Sequence, residues 1–123
     1  VLPFDQQPLE AQAAIECACA AYRCEPAPFW LTHAQAAWRW FFGANDRGAV
    51  LGDLATGRCR DGVTPRGRNE NCGAESILAL HLARHSMLAL RAEGTAAGAA
   101  GRDTTGDMRE RQRSPSADTV SHL

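Results

Sequence analysis

"GRCRDGVTPRGRNENCGAES", residues 57–76, decides how this chain is read. It is dense in glycine, asparagine, arginine and acid, it interrupts alanine-rich and aromatic sequence with helical spacing, and it runs straight into another apolar helix. The choice is between a long connection and a polar site held on a helical scaffold. The stretch is the second half of a segment, residues 43–73, that is too rich in Gly, Asn and Asp for regular helix. Loops longer than roughly 12 to 15 residues are uncommon in compact domains unless they are functional or disordered. Val50, Leu51, Leu54 and Val63 supply apolar anchors at intervals, so the segment is predicted to be an ordered excursion.

Upstream, residues 8–23 begin with Pro and continue through good helix formers, which predicts a first helix. Leu9, Ala13, Cys17, Ala20 and Cys24 fall on one stripe of it, the expected buried face. Pro26 and Pro28 end it. A second helix is predicted over residues 28–42 and carries all three tryptophans. Trp30, Ala34, Ala37, Trp38 and Phe41 share one face, while Phe29, Ala36 and Trp40 widen the apolar surface onto a flank. Such a helix needs cover on more than one side, so the rest of a larger domain or another subunit is expected. A third helix is predicted from Ala74 to Glu93, with Glu75 in its first turn and Gly94 as a stop. Ile77, Leu80, Arg84 and Leu88 lie on one side of it, and Leu78, Leu82 and His85 on another. Residues 94–123 have no apolar period and are predicted to be a disordered tail. The expected fold class is therefore all-α: three helices, a long ordered loop before the last, and a tail.

The net charge of -1, with acids and bases interspersed, gives no field that would draw nucleic acid or an anionic membrane. Every one of the 13 basic residues is Arg, which fits a GC-rich coding bias. No stretch approaches the roughly 18 consecutive apolar residues of a membrane span. The first residues show no initiator Met and no secretory pattern, and they read as the middle of a longer chain. Five cysteines form an odd set without a recognisable framework, pointing to a reducing cytoplasm.

Asp61, Asn69, Asn71 and Glu75 crowd the junction of the excursion with the third helix. Carboxylates and carboxamides hydrogen-bond sugar hydroxyls, and a carboxylic acid can protonate a glycosidic oxygen. The same residue types also fix turns and cap helices. Both readings stand on the sequence. Metal chemistry does not: Cys17 and Cys19 point about 200° apart on a helix, and His81 and His85 lack the acid of a zinc-protease motif, Leu82 following His81.

Three strings extend the argument: "FDQQPLEAQAAIECACAAYR", "WLTHAQAAWRWFFGANDRG" and "TGRCRDGVTPRGRNENCGAESILALHLA". Together, over residues 4–83, they resemble the last helical hairpins of an (α/α)6 toroid of the six-hairpin glycosidase-like type, found in bacterial proteins described as glycosyltransferases. The family pattern has W-F-x-G-x-N-D, T-G-G-C-x-D-G-L and N-x-N-Q-G-A-E-S-T-L blocks. The resemblance implies a partial toroid over residues 1–93 and a carbohydrate-active function in glycosyl transfer or glycoside processing. Asp61 and Glu75 are then the candidate catalytic carboxylates. Asn45, Asp46, Asn69, Asn71 and Ser76 are the candidate substrate-binding groups. No cofactor or metal is implied. The implied partners are a carbohydrate and the N-terminal remainder of the parent protein or another subunit, and the chain alone is expected to be inactive. Here Arg58 replaces the family's Gly, Cys72 its Gln and Ile77 its Thr. A non-catalytic helical interaction or stabilising module is the alternative from a different class, with Trp30, Trp38 and Trp40 as its interface.

Overall fold

The computed structural model describes residues 5–111, with side chains through residue 101. Two helices come first, α1 (Pro8–Cys24) and α2 (Pro28–Trp40). Each opens on a proline, whose missing N–H is no loss in a first turn. The Glu10 carboxylate accepts the Gln7 N–H at 3.0 Å, satisfying a donor at the start of α1. Past α2 the chain turns at Gly43, whose φ of 105° is open to glycine and strained for other residues.

The polar excursion is where expectation and structure part. It folds into two antiparallel hairpins, β1 (Gly52–Asp53) with β2 (Arg58–Cys59), and β3 (Val63–Thr64) with β4 (Gly67–Arg68). Gly52 faces Cys59 and Asp53 faces Arg58; Val63 faces Arg68 and Thr64 faces Gly67. The all-α class of three helices and a loop is thereby overturned: the chain mixes helices with small sheets. The physical reason lies in the turns. Asp53 accepts the Ala55 and Thr56 N–H groups at 2.9 and 3.3 Å and closes a turn ending at Gly57, where φ is 73°. In the second hairpin Pro65 and Arg66 form a two-residue turn, with Gly67 at φ 123° and the Thr64 hydroxyl donating to the Gly67 carbonyl at 3.0 Å.

Both hairpins are fixed to their surroundings by backbone. Leu51 and Gly52 donate to the Phe41 carbonyl at 2.8 and 2.9 Å, and Val63 exchanges hydrogen bonds with the segment before α1, donating to Gln6 at 2.9 Å and accepting from Asp5 at 3.1 Å. The third helix, α3 (Ala74–Arg111), begins where the sequence predicts but does not stop at Glu93. Gly94 lies within the helix instead of turning left-handed, because the alanines around it, among the best helix formers, carry the helix on. The predicted disorder is therefore corrected over residues 94–111, and residues 112–123 lie outside the described residues.

Among the described residues, those up to Leu90 form one compact unit and those from Arg91 a second. The core of the first gathers Ile15, Ala18 and Cys19 of α1, Ala34 of α2, Phe41 at its end, Leu51, Cys59 and Val63 of the excursion, and Leu80, Ala83 and Leu90 of α3. The buried stripe of α1 is thus Pro8, Ala11, Ile15, Ala18 and Cys19, and the predicted stripe through Leu9, Cys17 and Cys24 faces solvent. On α3 the residues facing the core are Ala79, Leu80, Ala83 and Leu90, whereas Leu78, Leu82 and Leu88 are 57, 39 and 56% exposed. In the second unit, residues 91–101 are exposed or half-buried. No described helix is long and apolar enough to cross a membrane.

Candidate functional site

The return of the excursion to α3 organises the polar residues the sequence singled out. Asp61 donates its backbone N–H to the Asn71 carbonyl at 2.9 Å, and its Oδ1 accepts the Gly73 N–H at 2.6 Å. Gly73 is the residue immediately before α3, and its own carbonyl accepts from Ile77 at 3.1 Å. Asp61 therefore caps α3 from twelve residues away, where the exposed N–H groups of a helix start favour a carboxylate. Gly73 is needed for this approach, since a Cβ there would stand 3.0 Å from Oδ1 of Asp61. Asn69 folds the strand end back, its Oδ1 accepting the Asn71 N–H at 3.0 Å while its own N–H reaches the Gly62 carbonyl at 2.8 Å.

These contacts tie Asp61, Asn69 and Asn71 together just ahead of α3, and Glu75, two residues after Gly73, is exposed in the first turn of that helix. Among the described residues, Oδ2 of Asp61, the Asn71 carboxamide and the Glu75 carboxylate accept or donate no hydrogen bond. Ser76 is 5% exposed, on the packed side of the helix with Ala79 and Leu80.

Asn45 and Asp46 stand elsewhere, in the turn after α2. The Asn45 carboxamide is fully committed, donating to the Trp40 and Ala49 carbonyls at 3.0 and 2.7 Å and accepting from Arg47 and Ala49 N–H at 3.2 and 3.0 Å. Asp46 accepts from Gln6 Nε2 at 2.8 Å, while Gln6 Oε1 takes the Trp40 indole N–H at 3.1 Å. Gln6 thus clamps the end of α2 to the following turn, a role its sequence context did not announce.

Sequence reasoning also passed over the ionic group around Glu70. Arg68 Nε donates to Glu70 Oε1 at 2.7 Å, and Arg60 sits 3.2 Å from Oε2 and also donates to the Glu70 carbonyl. The hydrogen bond from Arg68, with the charges of both arginines, holds the Glu70 carboxyl below its ordinary range. The available signal was Arg68 and Glu70, two residues apart and of opposite charge, at the end of the second hairpin. Cys59 is fully buried, and burial first, then the neighbouring Cys72 and Asp61, pushes its thiol up to about 12. His81 Nε2 lies 3.1 Å from the Gly57 carbonyl and joins α3 to the first hairpin.

Among the described residues no group of three His, Cys, Asp or Glu side chains is placed to hold a metal ion. The chain matches no family model, no curated protein and no solved structure.

Proposed function

We propose that this chain is a carbohydrate-active segment, of the kind associated with glycosyl transfer or glycoside processing, that meets sugar hydroxyls at the start of α3. One observation carries the reading: the ordered excursion ties Asp61, Asn69 and Asn71 together just ahead of α3, whose first turn carries Glu75, and leaves a carboxylate oxygen, a carboxamide and a second carboxylate outside its own hydrogen-bond network. Those are the acceptors and donors that hydroxyl recognition uses. The resemblance of this region to six-hairpin glycosidase-like proteins supports the same assignment. In this reading Glu75 is the acid/base candidate, because it is exposed, and Asp61 orients the sugar, because one of its oxygens is held by Gly73. Asn45 and Asp46 shape the turn after α2, away from this cluster, and Ser76 packs on the buried side of α3. The compartment proposed is the cytoplasm, where the free thiols remain reduced.

Amide NMR spectra of the chain with neutral mono- and oligosaccharides test this. Saturable shifts at Asp61, Asn71 and Glu75 are expected, and they disappear in Glu75→Gln. Spectra that ignore every sugar sink the proposal.

A second reading, a helical interaction module, is favoured by the apolar stripe of Leu78, Leu82 and Leu88 along α3. Its partner is the helical remainder of a longer protein or another subunit. Self-association that rises with concentration and is indifferent to sugar favours it over the first.

A further inference from the structure

Away from the start of α3, the first hairpin and the segment leading into it enclose an open groove of about 590 Å³. Its lining includes Phe42, Val50, Leu54, Arg58, Arg60 and Arg68. That volume lies within the roughly 300 to 1,000 Å³ of small-molecule sites. The walls are held before any ligand arrives. Phe41 anchors Leu51 and Gly52 through its carbonyl, and Arg60 donates its backbone N–H to Leu51 at 3.0 Å. Beneath, Gly52 is packed so closely that a Cβ would come within 3.0 Å of Leu80 and 3.2 Å of Phe42.

The charges in and around the groove do not cancel. Asp53 is spent on its own turn: Oδ1 accepts two backbone N–H groups, and Oδ2 accepts the Thr56 hydroxyl at 2.8 Å. Glu70 is shared between Arg60 and Arg68. Arg58 is exposed opposite Asp53 in the first hairpin, where its charge, after the hydrogen bonds from Thr56 and Ala55, helps hold that carboxyl below its ordinary range, and its guanidinium donates no hydrogen bond among the described residues. Three guanidiniums thus face two engaged carboxylates. Beside them, Val50 and Leu54 leave 51 and 43% of their surface open, next to the Phe42 ring. A planar guanidinium suits carboxylate and phosphate oxygens equally, and an apolar wall adds nothing for a bare ion but favours a ligand with a hydrocarbon body.

We propose that this groove binds a small organic anion, a carboxylate or phosphate monoester with an aromatic or short apolar body, its charge met by Arg58 and its body by Val50 and Leu54. The site is independent of the sugar reading and shares no residue with it.

The test titrates the whole chain with phenyl phosphate, benzoate, inorganic phosphate and benzyl alcohol, followed by amide NMR. Saturable shifts of Val50, Asp53, Thr56 and Arg58 are expected from phenyl phosphate or benzoate, with inorganic phosphate and benzyl alcohol about tenfold weaker or silent. The stronger of the two aromatic anions identifies the head group. Arg58→Gln should weaken that binding about tenfold while leaving the spectrum dispersed, because the exposed Arg58 side chain donates no hydrogen bond and the Asp53 turn it faces is held by Ala55 and Thr56. Arg58→Lys should restore part of it, and Leu54→Ser should weaken phenyl phosphate but not inorganic phosphate. Absence of saturable shifts from both aromatic anions overturns the proposal. So does equal binding of inorganic phosphate and phenyl phosphate, or an unchanged affinity in Arg58→Gln. A sugar response confined to Asp61, Asn71 and Glu75 bears only on the other site.

Discussion

Gly62 shows how closely single residues are set in this chain. A Cβ at this position would stand 2.6 Å from the Gln6 carbonyl oxygen, and the obstacle is backbone that is itself bonded to Val63. Gly62→Ala is expected to destabilise the fold by about 1 to 3 kcal/mol in urea unfolding, the usual cost of an overpacked site. Gly98→Ala, with open space around its Cβ, is the control that should not. Asp61 makes a charge-assisted bond at a helix start, so Asp61→Asn should cost about 1 kcal/mol. Unchanged stability would return Asp61 to a purely functional account. Cys59 makes a different kind of prediction. Its thiol is raised from 9.0 to about 12, so the folded state keeps a proton that the unfolded chain loses. The stabilisation is whole below the unfolded value and is lost as pH rises from there through the folded one. Alkylation of the native protein at neutral pH should label the exposed Cys17 and Cys24 quickly and Cys59 only as fast as the chain opens. Labelling of Cys59 at the rate of Cys17 would contradict its burial.

At the scale of elements, the helices were legible wherever punctuation was chemical. Pro8 and Pro28 mark the starts of α1 and α2, and the glycine and acid at 73 and 75 mark the start of α3. The faces were harder to read. Alanine occurs all around α1, so Leu9 and the cysteines at 17 and 24 made as regular a stripe as Ala11, Ile15 and Ala18. Only the partner surface decides between them. The hairpins escaped because strands of two residues cannot display an alternation. Their turns were nevertheless written in Asp53, Gly57 and Pro65. The end of α3 was misplaced by weighting one glycine above its alanine neighbours. If that helix persists through intrinsic propensity, Gly94→Ala and Gly98→Ala should each raise its stability by up to about 1 kcal/mol. Both positions have open space, so no clash opposes the gain. Far-UV circular dichroism during thermal unfolding reads this, and unchanged helicity in the double variant would mean that contacts, not propensity, hold the segment.

For the molecule as a whole, the nearness of Asp61, Asn69 and Asn71 was legible in their spacing, but the different settings of Asp61 and Glu75 were not. Spacing put Asp61, Asn69, Asn71 and Glu75 near one another; only the fold separates Asp61, tied to Gly73, from Glu75, which stands open. The apolar surface presents the same problem at larger scale. The sequence predicted two packed sides for α3, and among the described residues one is packed while Leu78, Leu82 and Leu88 remain in contact with water. Each of these leucines, about half exposed, forgoes roughly 1 kcal/mol of further burial, an inducement to associate when several line one helix. The chain should therefore sediment as a monomer only at low concentration. Replacing the three leucines by glutamine should remove the concentration dependence while changing monomer stability little, since surface substitutions usually fall within about 0.5 kcal/mol each. Leu80→Ala, in the core, should do the reverse: it should cost about 2 to 5 kcal/mol and leave association through the exposed stripe intact at temperatures where the fold survives. Sedimentation velocity with urea unfolding separates these outcomes. A wild-type chain that stays monomeric at every concentration would remove self-association from the interaction reading, and association undiminished in the triple variant would move the interface off α3.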